Sequence, residues 1–306
     1  MLRYIVNRLL QAVIAIFGVL TIVFVVMHLS GDPTLLLVPQ DASAEVIANL
    51  RRQLGFDRPI GVQYLDYLGD LLRLDFGTSV VQRVPVSQIV AARVPYTIEL
   101  AAGALAVALG LGIPIGVVMA TRRGGWIERG LTAVVVTGQS VPTFLSGILL
   151  IAIFGVLLRW LPTSGTGSIS ALVMPSIALG SVSMATFARM TRIAILDELG
   201  KDYVRAATAR GMRMDQTILR HVLRNASIPL ITITALEIGN LLAGAVIIET
   251  VFAWPGIGLL AIQSIQARDF LVVQMIVLLI SVVYVLTSVL ADLIYGFVDP
   301  RIRLMR

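Results

Sequence analysis

The chain has 306 residues, of which 57% are hydrophobic and only 14% charged, with a mean hydropathy of +0.91. Globular chains carry about 25% charged residues, so this sequence cannot dress a water-facing surface of normal size. With no cysteine and only His28 and His221, disulfide scaffolds, thiolate metal sites, cysteine nucleophiles and histidine-rich metal centres fall away.

Charge-free gaps outline the architecture. Residues 9–31, 100–121, 130–158, 160–188 and 270–291 carry no charge, and 225–248 is broken only by Glu237. A bilayer core needs about 20 apolar helical residues, and backbone groups in lipid must be satisfied within their own segment. The sequence therefore predicts an all-α integral membrane protein. Its six transmembrane helices are expected near 8–29, 97–121, 131–158, 172–191, 229–250 and 271–296.

The first span follows Arg3 and Arg8 as a signal peptide would. Its apolar run is too long for an h-region and no small-x-small site follows, so it reads as a retained helix 1–29. Ser30-Gly31-Asp32-Pro33 closes it as a turn.

Region 30–95 holds three short amphipathic patterns. Ser43 caps a helix with Val46, Ile47, Leu50 and Leu54 on one side, ended by Gly55. Asp57-Arg58-Pro59 opens another, with Tyr64, Leu65, Leu68, Leu71 and Leu72 as its apolar face, ended near Phe76-Gly77. A third spans 85–94, with Val86, Ile89, Val90 and Val94. Such helices form a packed cap on the membrane or a docking surface for a soluble partner.

In the third span, Pro142 of Gln139-Ser140-Val141-Pro142 kinks the helix and frees a carbonyl, which Gln139 and Ser140 re-satisfy unless they line a path. Gly103, Gly110, Gly112 and Gly116 allow close helix approach in the second span. Loop 192–228 carries a helix that Asp202 caps and Gly211 ends, then a second from Asp215 to about Asn225. Ala206, Ala207 and Ala209 leave backbone open to a close neighbour, and Tyr203 supplies an anchor. A lipid headgroup needs no such small-residue patch, so a cytoplasmic protein partner fits better than a membrane surface.

Glu237 lies mid-span, where a carboxyl is costly. It either faces a cavity or partner or is a protonated or paired acid at a helix interface. Asp292 and Glu99 read as interfacial caps. Trp254-Pro255-Gly256 reads as a tight turn with Trp at the membrane interface, and Gln263 and Gln266 as outer-loop residues.

Arginine and lysine set the orientation. With the N-terminus inside, 16 of the 24 basic residues face the cytoplasm. Six of the other eight lie in 30–95, beside seven acids. Both termini, including tail 299–306, are expected inside. Topology thus accounts for the basic pI, and nucleic acid is not a partner. ATP hydrolysis needs G-x-x-x-x-G-K-[ST] to cradle phosphate. The one Gly-Lys, Gly200-Lys201, is followed by Asp202, so this chain is not an ATPase and energy must come from a partner.

The stretch Asp202-Tyr203-Val204-Arg205-Ala206-Ala207-x-x-x-Gly211, followed by His221-x-Leu223-Arg224-Asn225-Ala226-x-x-Pro229, resembles the "EAA" loop of ABC importer permeases. In detail it is similar to the dipeptide/oligopeptide permease B-subunit. Further matching stretches run along the chain. They include Gly31-Asp32-Pro33, Leu54-Gly55-Phe56-Asp57-Arg58-Pro59, Asp75-Phe76-Gly77-Thr78-Ser79, Ser140-Val141-Pro142, Glu249-Thr250-Val251-Phe252-x-Trp254-Pro255-Gly256-x-Gly258, Arg268-Asp269-Phe270 and Asp299-Pro300-Arg301-Ile302-Arg303. Two positions depart from the broader pattern. Arg205 stands where many sugar and amino-acid permeases have Glu, as is common in peptide permeases, and the Leu-Pro end falls at Ile228-Pro229.

The resemblance implies a type I importer permease fold in the bacterial inner membrane, with the extra helix 1–29 beside a five-helix core 96–298. It implies half of a peptide path, completed by a second, homologous permease subunit as a heterodimer. Two ABC ATPase subunits, which bind the ATP and Mg, would dock on Asp202, Tyr203, Arg205, Ala206, Ala207, Arg210 and Gly211. A peptide-binding protein would dock outside. Glu237, Gln139, Ser140 and Pro142 are the path candidates. Related permeases carry nickel, glutathione or haem, and an autonomous secondary transporter or channel is the remaining alternative.

Overall fold

The computed structural model describes residues 2–29, 43–53 and 55–298, and among them every regular element is a helix. The expected turn at 30–33, Leu54 and the closing Asp299–Arg303 stretch lie outside the described residues, as do the side chains of Arg3, Arg8, Ile47, Leu50 and Asp292. The helices are α1 (Leu2–Leu29), α2 (Ala44–Gln53), α3 (Ile60–Leu72), α4 (Val86–Thr121), α5 (Trp126–Ser140), α6 (Thr143–Leu150), α7 (Ile169–Leu199), α8 (Asp202–Ala209), α9 (Met214–Thr217), α10 (Leu223–Val251), α11 (Ile257–Gln266) and α12 (Phe270–Val298). A π-helical stretch, Ile151–Leu157, extends α6, and another, Ile218–Val222, joins α9 to α10.

Four described helical segments are long and apolar enough to cross a bilayer: Val86–Thr121, Ile169–Leu199, Pro229–Val251 and Phe270–Leu290. The helix α1 has 28 residues, with an apolar stretch at Val13–Val26. The span expected at 131–158 with a kink at Pro142 is instead two helices meeting at 104°. Pro142 has ψ 138° and stands as the N-cap of α6, so the break is complete rather than a kink. Ser140 does not repair it, because its Oγ donates to the Val136 carbonyl one turn back.

Three further expectations are corrected. The 85–94 helix is not separate, since α4 runs unbroken from Val86 through Pro95. Glu99 therefore sits inside a helix, exposed, and caps nothing. The Asp215 helix does not stop near Asn225 but continues into α10, leaving only short non-helical links in 192–228.

The chain divides into two compact units. One combines residues 2–95 with 260–282. Here α3 lays Tyr64 and Tyr67 against Phe24 of α1, with ring centroids 5.1 and 5.6 Å away. Thr21 Oγ1 and the Tyr64 hydroxyl are 2.6 Å apart, and His28 Nε2 lies 2.9 Å from Gln63 Oε1. This tyrosine face packs α3 onto α1. Leu65 and Leu72 of the expected apolar face are exposed instead, and α3 ends at Leu72, short of Phe76. The Ser79 hydroxyl donates to buried Asp269 and pins the turn before α4.

The other unit combines residues 96–259 with the chain from 283 on. Its centre is α7, which packs against α10, α6 and α5. Of its apolar window, 61% is buried, against 28% for α4 and 33% for α10, so α7 is the axis and its neighbours keep apolar surface for lipid or partners. Gly112 and Gly116 let α4 approach α7 closely. A Cβ at Gly112 would meet the Met184 carbonyl at 2.7 Å, and one at Gly116 the Ala188 carbonyl at 2.5 Å. Gly103 serves likewise against Ser176, whereas Gly110 faces open space. Leu100, Met174, Leu179, Leu241, Phe252 and Trp254 share one core cluster.

Candidate functional site

Helix α8 is short and polar, so its position depends on attachment. Lys201, not Asp202, is its N-cap, and Asp202 occupies the first turn, where an acid favours the positive end of the helix. Asp202, Arg205, Ala206, Ala209 and Arg210 are exposed and recur at helical spacing. They form one open face. The 2.8 Å ion pair between Arg205 and Asp202 is 75% and 95% exposed, so it contributes little.

The opposite face is anchored. Val204 is 3% exposed and packs with Ala120, Ile195, Val222 and Ala226, with Tyr203 alongside. The Tyr203 hydroxyl donates to Glu198 Oε2 at 2.7 Å. Lys201 Nζ donates to Glu198 Oε1, and Asn225 Nδ2 reaches Oε2 at 3.4 Å. One carboxylate in the last turn of α7 thus gathers α8 and the start of α10. Burial, then the Glu198 hydrogen bond, pushes the Tyr203 phenol above its usual range. The same carboxylate raises the Lys201 ammonium.

Gly211 ends the helix as expected. Its φ is +81°, its N–H donates to the Thr208 carbonyl at 3.0 Å, and the Met212 N–H donates to the Ala207 carbonyl at 3.2 Å. That pair of bonds is a Schellman closure, which needs the left-handed residue that glycine supplies without strain.

The four path candidates do not form one cluster. Glu237 on α10 accepts from the Ser183 hydroxyl of α7 at 2.5 Å. Gln139 on α5 accepts from the Arg189 guanidinium of α7. Ser140 and Pro142 make the α5–α6 bend. Ser183 and Arg189 are six residues apart on α7, about 9 Å along its axis. Arg192, almost one turn beyond Arg189, pairs with Glu128 of α5 at 2.5 Å.

A second carboxylate, quoted above only as part of a matching stretch, has its role set by the fold. Glu249, in the last turn of α10, is fully buried. It accepts from Thr97 Oγ1 at 2.6 Å and from the backbone N–H groups of Gly258 and Leu259 at 2.7 and 3.0 Å. The Trp254 N–H donates to the Glu249 carbonyl, and the Trp254 indole to the Tyr96 carbonyl. Trp254 is therefore a core residue rather than an interface anchor, and Gln263 and Gln266 lie in helix α11 rather than a loop. A Cβ at Gly256 would fall 2.1 Å from Glu249 Oε1, and one at Gly258 2.4 Å from the Val246 Cα. The two glycines around an acid seven and nine residues earlier were the available signal.

Residues 112–304 match the family described as binding-protein-dependent transport system inner membrane component, and residues 1–101 match its N-terminal membrane component. The chain is 41% identical over 304 residues, 99% of each chain, to the glutathione transport system permease protein GsiC of Salmonella choleraesuis. It is 39% identical, at the same coverage, to that of Escherichia coli K12. It superimposes on a chain of the inward-facing MetNI methionine ABC transporter with a TM-score of 0.57 at 18% identity, covering 70% of this chain and 97% of that one. At that identity the likeness shows the fold alone, which is that of type I ABC importer permeases. The chain belongs to the binding-protein-dependent transport system inner membrane component family: it is a multi-pass inner-membrane permease subunit of an ABC importer, non-catalytic by itself.

Proposed function

We propose that this permease forms half of the translocation path of an importer of short peptides, glutathione among them, and is driven through α8. The cargo reading is supported by relatives named for glutathione, a tripeptide, at 41% identity over nearly the whole chain. The single observation that carries the mechanism is the asymmetry of α8, open on one face and tied by Glu198 on the other.

Two ATPase subunits supply ATP and Mg chemistry, and one of them seats its groove on the Asp202–Arg210 face. Nucleotide-driven closure shifts α8. Because Glu198 ends α7 and holds both Tyr203 and Asn225, that shift moves α7 and α10 together. These helices carry Ser183 and Glu237, so access alternates around them. A second, homologous permease completes the path, and a binding protein delivers cargo to the outside. Both termini are cytoplasmic in this arrangement.

The test is a proteoliposome assembly of both permeases, ATPases and binding protein, supplied with labelled glutathione and dipeptides. ATP-dependent accumulation of glutathione is expected, with no accumulation by this subunit alone. Ala207 is half-buried on the side of Tyr203 and Val204, whereas its neighbour Ala206 is exposed. Ala206→Glu is expected to leave the assembly intact while separating ATP hydrolysis from uptake. Coupled uptake in that variant, or active accumulation by the lone subunit, contradicts the reading.

A further inference from the structure

The cleft between α5 and α7 has a volume of about 680 Å³, and its lining includes Arg129, Arg189, Arg192 and Glu128. Three guanidiniums against one carboxylate leave it formally positive. The compensation is uneven. Glu128 accepts from Arg192 Nε at 2.8 Å and Nη2 at 2.5 Å and also takes the Gly124 N–H, so its capacity is largely spent. Exposed Arg129 stacks on the Trp126 ring at 5.4 Å. Arg189, partly buried, has Gln139 as its side-chain partner, and among the described residues it makes no ion pair.

A neutral amide orients a guanidinium without cancelling its charge. Arginine presents a planar fork suited to a two-oxygen anion, and a desolvated cation in a span is expensive unless it faces a cavity or a partner. Arg189 sits ten residues, about 15 Å, above the Leu199 end of α7. Arg122 and Arg123, by contrast, are exposed in the turn after α4, and Arg129 is exposed in the first turn of α5.

We infer that Arg189, oriented by Gln139, is a carboxylate-accepting station on the cargo path that engages the C-terminal carboxylate of a passing peptide. The inference rests on the short-peptide reading above. It assigns Gln139 the role of a positioning residue acting through Arg189, rather than a direct cargo contact. Arg189 lines the cleft together with Val136 and Ile193, and low polarity there strengthens a charge-assisted bond.

The experiment compares uptake of a tripeptide with a free C-terminus and the same tripeptide amidated, in the full assembly, for the wild type, Arg189→Gln, Arg189→Lys and Gln139→Glu. Selection by the binding protein is common to all four and cancels in the comparison. The free-over-amidated ratio of uptake rates is expected to fall about tenfold in Arg189→Gln, the loss of one charge-assisted contact. Gln139→Glu should reduce it similarly by pairing Arg189 internally, and Arg189→Lys should retain part of it. Equal losses for both peptides overturn the inference, as does a change that appears only in vesicles containing phosphatidylglycerol, which marks a lipid contact. If Arg189→Gln fails to assemble, Gln139→Glu decides: an unchanged ratio overturns the inference. Peptide uptake with unchanged ratios sinks this inference alone, whereas a wild-type assembly that carries no peptide sinks the cargo reading with it.

Discussion

Two carboxylates, Glu198 and Glu249, occupy the same place on different helices and hold different kinds of partner. Each lies in the last turn of a long helix, where the dipole disfavours an acid, and each ties down the short helix that follows. Glu198 accepts only from side chains, those of Lys201, Tyr203 and Asn225. Glu249 accepts from Thr97 and from two backbone N–H groups, in full burial. Side-chain tethers at the edge of water can stretch, and water replaces them when they part. Buried backbone donors have no substitute. The α8 attachment is built to carry motion, and the α11 attachment to resist it.

The largest predicted effect is at the rigid tether. Glu249→Ala strands the Gly258 and Leu259 N–H groups and the Thr97 hydroxyl, at a cost of about 3–5 kcal/mol. Thermal unfolding in detergent should show a large fall in midpoint, and Glu249→Gln should recover part of it. Gly258→Ala comes next, because its Cβ would press on backbone at 2.4 Å; overpacking of this kind costs about 1–3 kcal/mol. A small loss in either variant breaks the contrast between the two carboxylates.

At the flexible tether the effect moves from stability to coupling. Glu198→Ala leaves the Tyr203 and Asn225 donors to water, so the expected stability loss is only about 1–2 kcal/mol. Transport per ATP should nevertheless fall severalfold. Tyr203→Phe removes one of these bonds and should cost about 1 kcal/mol, with a milder coupling defect. The smallest effect is Asp202→Ala, which deletes an exposed ion pair and should change stability by less than about 0.5 kcal/mol. A large unfolding effect at Asp202 together with a silent Glu198 would reverse the assignment.

The two regions also differ in how legibly the sequence announces them. Long charge-free gaps reveal the spanning helices because the lipid constraint acts on composition over some twenty residues. Helix α8 is legible because its length, small residues and glycine terminator are all local. Glu249 is hidden because its partners include Thr97, 152 positions away, and because backbone donors leave no mark in the side-chain pattern. The Pro142 break is signalled, but its 104° angle is not, since a proline fixes one φ and leaves the direction of the next helix to packing. Pro95 teaches the reverse. It lies within α4 without ending it, so long apolar packing outweighs a single lost hydrogen bond.

The central claim is that an ATPase grips this permease through the open face of α8. The direct measurement places a single cysteine at Ala206, exposed on that face, in a chain with no native cysteine. A short bifunctional reagent is then applied to the intact assembly. The account predicts a nucleotide-dependent crosslink from position 206 to an ATPase subunit. A crosslink to lipid analogues alone, or equal labelling with and without the ATPases present, contradicts it.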